Sequence, residues 1–312
     1  MHDRIPVIDI GDTDRAATRR ALDAACREWG FFHAVGHGLD PQLCRSLLEV
    51  ARAFFAQPMA TKRRVRRDAV NPWGYYDEEL TKNRRDWKEI FDAGPPDGGS
   101  LAPRWPDGAL GERLRETMAA YSAACKAVAT RLLGAIVAGL GAAPDAVLRD
   151  FGPAHTSFLR LNHYPPQPRQ AGGAASLGVG EHTDSGALTL LLQDEQPGLE
   201  VRRDGTWHGV APLDGALVVN IGDIVQVWSN DRYRAAVHRA VTHAERDRYS
   251  APFFLNPSYD ACYAPLPTTV GTRQPARYRP IAWREFRALR AAGDYADLGE
   301  EIQIHHYRAG EH

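Results

Sequence analysis

Apolar side chains in the first half of the chain fall mostly at helical spacing. Leu22, Cys26 and Trp29 share one face of a helix that Asp12 or Thr13 can cap and Gly30 ends. Leu43, Leu47, Ala51 and Phe54 repeat the pattern behind the helix-opening pair Asp40-Pro41. From Leu110 through Leu114, Met118, Tyr121, Cys125, Val128, Leu132 and Ile136 to Leu140 runs one continuous stripe, the spine of a core. Residues 5–10 and 31–35 read as extended, and the Gly- and Pro-rich stretch 94–106 reads as a loop. Residues 1–150 are thus expected to form a mostly helical N-terminal region.

Near His155 the period changes. Short apolar or alternating runs at 157–164, 187–193, 199–203, 206–210, 216–221, 224–229, 238–242 and 249–256 are separated by turn residues. That density of strands predicts an antiparallel barrel or sandwich over residues 151–312. Asp204-Gly205 is a strong two-residue hairpin signal, and residues 283–290 read as a closing helix. The fold class is α+β.

Composition narrows the partners. The 312 residues carry 38 Lys plus Arg against 39 Asp plus Glu, a net charge of −1. No long-range field gathers phosphates, so neither nucleic acid nor an anionic membrane surface is an expected partner. The basic run at 62–67 (KRRVRR) reads as a solvated helix face. Cys26, Cys44, Cys125 and Cys262 make no Cys-x-x-Cys pair, fitting neither a disulfide framework nor a thiolate zinc site. The N-terminal residues lack the apolar centre of a secretory signal. The longest mainly apolar run, residues 132–143, is 12 residues, too short to cross a bilayer. A cytoplasmic, monomeric protein acting on a small molecule is expected.

The chemistry lies among the strands. His182 and Asp184 stand at i and i+2, which on an extended segment puts both on one face about 7 Å apart at the backbone. With His238 they make two imidazoles and one carboxylate, the donor set that leaves open positions on non-haem iron(II). Arg248 and Ser250 repeat the i, i+2 relation and suit a carboxylate clamp. Asn162 and Tyr164 do the same upstream, with His163 facing the other way. His33, His37, His155 and His208 lack second and third ligands, and His305, His306 and His312 sit in a polar tail.

Five blocks resemble the isopenicillin N synthase-like family of iron(II)/2-oxoglutarate-dependent oxygenases: residues 162–166, 182–194 (HTDSGALTLLLQD), 219–223 (VNIGD), His238-Arg239 and Arg248-Tyr249-Ser250. The N-terminal IPVIDI and the segment Trp29-Gly30-Phe31-Phe32, followed by Gly36-His37-Gly38, are similar too. The resemblance implies a double-stranded β-helix (jelly-roll) core in which His182, Asp184 and His238 hold Fe(II). It implies that Arg248, Ser250 and the Tyr164 hydroxyl bind the far carboxylate of 2-oxoglutarate, with Asn162 beside the cosubstrate near the metal. O2 is the second cosubstrate, and the outcome is hydroxylation, desaturation or cyclisation of a small metabolite, as in secondary metabolism. Phe254, and less directly Phe91 and Lys88, are implied as substrate-pocket residues. Three alternatives stay open: an iron oxidase that needs no 2-oxoglutarate, an ethylene-forming enzyme that consumes it, and a non-catalytic metal-binding barrel.

Overall fold

Backbone pairing sorts the strands into two main sheets, most strands of the larger one being buried on both faces. In chain order they are β1 (Val7–Asp9), β2 (Phe31–Val35), β3 (Gly74–Tyr76), β4 (Leu80–Thr81), β5 (Arg84–Arg85), β6 (Glu89–Ala93), β7 (Phe158–Tyr164), β8 (Leu177–His182), β9 (Leu188–Gln193), β10 (Leu199–Arg203), β11 (Thr206–Gly209), β12 (Leu217–Ile221), β13 (His238–Val241) and β14 (Arg248–Leu255). The large sheet runs β1-β2-β12-β9-β14-β7-β6-β3 and the smaller one β11-β10-β13-β8, with β4 and β5 paired as a separate hairpin and two further short strands, Cys262–Tyr263 and Ile281–Ala282, paired with each other. The computed structural model describes residues 4–68, 70–95, 101–168, 176–297 and 299–310. This is the jelly-roll core, and the fold is α+β.

The helices are α1 (Ala16–Glu28), α2 (Pro41–Phe55), α3 (Met59–Arg63), α4 (Gly108–Gly139), α5 (Asp145–Leu148), α6 (Asp223–Trp228) and α7 (Trp283–Ala292). Of these, α1 to α4 pack against strands of the large sheet. Asp40 caps α2 as expected, its carboxylate accepting from Gln42 N at 2.8 Å, with Pro41 at the first turn. By length and composition α4 could cross a membrane. Its stripe from Leu114 through Met118, Tyr121 and Cys125 to Ile136 is instead buried against α1, α2 and the outward side chains of β7, β9 and β14. Leu159, Leu161, Leu190 and Phe253 meet it there, each of order 1.5–3 kcal/mol of burial.

Several expectations need correction. Residues 224–229 are not a strand, since Asp223–Trp228 is helical. Ile224, Val225, Val227 and Trp228 are buried on every side, so the run carries no period to separate helix from strand. Residues 56–93 supply four strands, of which β3 and β6 join the large sheet beside β7. The run at 62–67 is not a solvated helix face either. Helix α3 stops at Arg63, Lys62 is buried on Glu89 at 2.5 Å, and Arg67 is buried on Glu79 and Asp92 at 2.7 and 2.6 Å. Strand β8 was not expected, because Gly178 and Gly180 interrupt its pattern. A Cβ at Gly178 would lie 2.4 Å from the Tyr164 ring. Helix α1 starts at Ala16 rather than beside its expected caps, and Asp12 instead closes a turn onto Asp14 N and Arg15 N.

Candidate metal and cosubstrate site

Strand β8 delivers His182 at its last residue, β13 delivers His238 at its first, and the two are register partners. Asp184 follows β8 by two residues. The Nε2 atoms of both histidines lie 3.7 Å from the same oxygen, Asp184 Oδ1. Each ring is fixed from behind. His182 Nδ1 bonds the Gly180 carbonyl at 2.8 Å and His238 Nδ1 bonds that of Ala236 at 3.0 Å. A carbonyl only accepts, so Nδ1 carries the proton and each Nε2 lone pair faces the gap. Burial, then the neighbouring His238, holds the His182 pKa down to about 3, so its ring is neutral and ready to ligate.

The carboxylate is prepared in the same way. Asp184 Oδ2 accepts from Thr189 Oγ1 at 2.5 Å and from Asn220 Nδ2 at 2.7 Å, leaving Oδ1 turned toward the imidazoles. Burial alone would raise its pKa; the two histidines and these two hydrogen bonds reverse that and hold it ionised. Two imidazole nitrogens and one carboxylate oxygen converging from one side suit a divalent iron and leave its other side free. Thr189 and Asn220 were not singled out from the sequence. The available signal was that both lie in the matched blocks, at cross-strand positions of β9 and β12.

The second group lies on the inner face of β7 and β14, whose register opposes Tyr164 to Arg248 and Asn162 to Ser250. Arg248 is 1% exposed, its guanidinium 4.9 Å over the Tyr164 ring. Its Nη2 donates to Gln193 Oε1 at 2.8 Å, while its buried Nε has no hydrogen-bond partner among the described residues. Asn162 Nδ2 donates to Ser250 Oγ at 3.2 Å. A buried cation with an unused donor, beside a hydroxyl and a phenol, fits the carboxylate end of a small diacid. Gln193, which steadies the guanidinium, is a further residue the sequence reading did not pick out.

One cavity connects the two groups. His182, Asp184, His238, Asn162, Tyr164, Arg248 and Ser250 all line it, and so do Lys88 and Phe254. Phe254 stacks on Phe158 with centroids 4.7 Å apart. Lys88 reaches the cavity wall already paired with Glu79 at 2.6 Å and Asp86 at 3.1 Å. Phe91 is not brought to the cavity. It pairs with Leu161 on the outer face and packs edge-on against Phe54 at 4.9 Å, one residue out of phase with the inward positions of β6. The discounted His163 faces outward as expected, stacked on Tyr249.

Comparison with known proteins agrees with this geometry. Residues 155–257 match the 2OG-Fe(II) oxygenase superfamily, and residues 5–108 match the non-haem dioxygenase in morphine synthesis N-terminal family. A flavonol synthase/flavanone 3-hydroxylase of Arabidopsis thaliana is 34% identical, over 90% of this chain and 84% of its own. Gibberellin 20 oxidase 2 of Oryza sativa subsp. indica is 36% identical, over 90% and 74%. Among solved structures, JOX2 in complex with 2OG, Fe and JA superposes with a TM-score of 0.83 at 32% identity, covering 91% of this chain and 84% of that one. The dioxygenase for auxin oxidation of rice gives 0.77 at 30% identity, covering 98% and 100%. The chain belongs to the 2OG-Fe(II) oxygenase superfamily and is a 2-oxoglutarate-dependent non-haem iron dioxygenase, an oxidoreductase that uses Fe(II) and 2-oxoglutarate to oxidise a small molecule.

Proposed function

We propose that His182, Asp184 and His238 hold the Fe(II) and that Arg248, Ser250 and Tyr164 grip the far carboxylate of 2-oxoglutarate, with Asn162 between clamp and metal. The observation that carries this reading is the pairing, in one cavity, of three converging donor atoms with a buried Arg248 whose Nε is unsatisfied. With O2, the iron and cosubstrate supply an oxidant strong enough for an unactivated C–H bond, at the expense of one 2-oxoglutarate converted to succinate and CO2. The chain's own groups do the positioning. Arg248 and Ser250 fix one end of the diacid, Asn220 and Thr189 keep Asp184 ionised and aimed, and apolar walls keep water from the reacting carbon.

The substrate meets the cavity beyond the clamp, where Phe254, backed by Phe158 stacked on it, forms an aromatic face and Leu191, Leu199 and Val179 are apolar neighbours. This wall supports a small, largely apolar ring compound. Hydroxylation or desaturation of such a metabolite in secondary metabolism follows. Four free cysteines, two of them buried, support a reducing cytoplasmic setting. The test is stoichiometry with a panel of ring-bearing metabolites. One succinate per substrate oxidised is expected, and full-rate oxidation after 2-oxoglutarate has been dialysed away would overturn the reading in favour of a cosubstrate-independent oxidase.

A further inference from the structure

His163 occupies an unusual position on the outer face of the sheet. Its Nδ1 lies 2.7 Å from Glu89 Oε1 and its Nε2 lies 2.6 Å from Asp247 Oδ1. Its ring is parallel to that of Tyr249, 8° between planes and 4.7 Å between centroids, and Phe55 packs nearby at 5.4 Å. A neutral imidazole has one donor and one acceptor, whereas a ring flanked by two carboxylates needs two donors. Glu89 is ionised: burial alone would raise its pKa, but hydrogen bonds from His163, Lys62 and Tyr75 hold it below the usual range. The geometry therefore calls for an imidazolium, which together with Lys62 balances Glu89 and Asp247.

The register shows what this bridge touches. Glu89, His163 and Tyr249 are direct partners across β6, β7 and β14. On the inner face, that row sits between the pairs Asn162–Ser250 and Tyr164–Arg248. Tyr164–Arg248 is the last pair of the β7–β14 ladder, where a strand end frays most readily. Asp247, half-exposed, lies one residue past that end. The bond from His163 to Asp247 is thus a tie across the open end of the ladder, next to the arginine that needs to be held still.

We propose that protonated His163 is a positioning residue for the cosubstrate end of the site, setting the separation of Tyr164 and Arg248 by bridging Glu89 and Asp247. The proposal rests on the reading of Arg248 as the 2-oxoglutarate clamp. The other charged or titratable groups around the bridge are Lys62 from α3, Tyr75 from β3, Arg52 from α2, 5.4 Å over the Tyr249 ring, and Asp194, which accepts from Tyr249 N. With either tie removed, the open end of the ladder is no longer fixed, and 2-oxoglutarate affinity falls with it.

The experiment is calorimetric titration of the Fe(II)-loaded protein with 2-oxoglutarate under anaerobic conditions, with ring 15N NMR of the apoprotein. Wild type is expected to show a proton on each ring nitrogen of His163. His163→Phe, which keeps the stack but neither donor, is expected to weaken 2-oxoglutarate about tenfold, with Fe(II) affinity retained. Asp247→Ala, which removes only the half-exposed arm, is expected to weaken it several-fold as well and keeps the test alive should the first variant fold poorly. A singly protonated ring, or 2-oxoglutarate affinity unchanged in these variants while Arg248→Lys weakens binding, overturns the proposal. No effect of Arg248→Lys overturns the clamp reading instead.

Discussion

The two oxygens of Asp184 have different environments, and that difference decides how the proposed metal ligand is made. Oδ2 is held by Thr189 and Asn220, and Oδ1 is left to the imidazoles. Asn220→Ala removes one of the two bonds that aim the carboxylate while leaving every proposed ligand in place. Fe(II) affinity is expected to fall about tenfold or more, read by metal titration of the apoprotein. Arg248 invites a sharper substitution. Lysine keeps the charge but loses the planar fork and the stack over Tyr164, so 2-oxoglutarate affinity is expected to drop by about 1.5–3 kcal/mol, ten- to hundredfold. Iron affinity should stay near wild type, since Arg248 does not belong to the converging triad. Equal affinities for 2-oxoglutarate in both proteins would remove Arg248 from the clamp.

Elements were legible where a local rule acted alone. Asp40-Pro41 opened α2, Asp204-Gly205 turned β10 into β11 with positive φ at both residues, and the stripe from Leu110 to Leu140 gave α4. That His182 and Asp184, and Arg248 and Ser250, line one cavity was legible because i, i+2 spacing on an extended segment is a geometric statement about one face. Legibility failed where tertiary contact overrode the local pattern. Gly178 makes room for Tyr164, the buried run at Ile224 has no polar face, and Lys62 and Arg67 gave no sign that Glu89, Glu79 and Asp92 would bury them. The turn into α6 shows how an element end serves the site. Asp223 N donates to the Asp184 carbonyl and Gly222 N to that of Ala187. A Cβ on Gly222 would stand 2.2 Å from the Gly186 carbonyl and 2.8 Å from that of Asp184. Both atoms are backbone and cannot swing aside. Gly222→Ala is expected to shift the Asp184 segment and lower iron affinity at least tenfold in a protein with near-native circular dichroism. Unchanged metal binding would show that the turn has slack.

At the scale of the whole molecule, the cavity wall is joined to the segment 67–92 and to the C-terminal segment by a network of charge. Arg160 on β7 bonds Glu79 and Asp92, Arg67 bonds the same two carboxylates, and Lys88 bonds Glu79 and Asp86. Beyond α7 the tail returns to the β4–β5 hairpin. The Asp294 carbonyl accepts from Leu80 N, Glu301 accepts from Lys82 N, and Arg290 joins Glu301 to the carbonyl of Thr183 between two proposed iron ligands. The Asp294 carboxyl belongs to this network, and burial followed by Glu79 pushes it up to about 7 against the pull of Arg67, Arg160 and Lys88. An acid whose folded pKa lies above its unfolded value, about 3.9, stabilises the fold fully below that unfolded value. That contribution is lost as pH rises through about 7, because folding then has to accommodate an ionised carboxylate beside Glu79. Asn cannot ionise. Asp294→Asn is therefore expected to gain thermal stability over wild type at pH 8 by several degrees more than at pH 5. Melting curves at the two pH values decide it: a Tm difference that is the same at both would mean that Asp294 stays charged throughout, its carboxylate matched by the three cations around it.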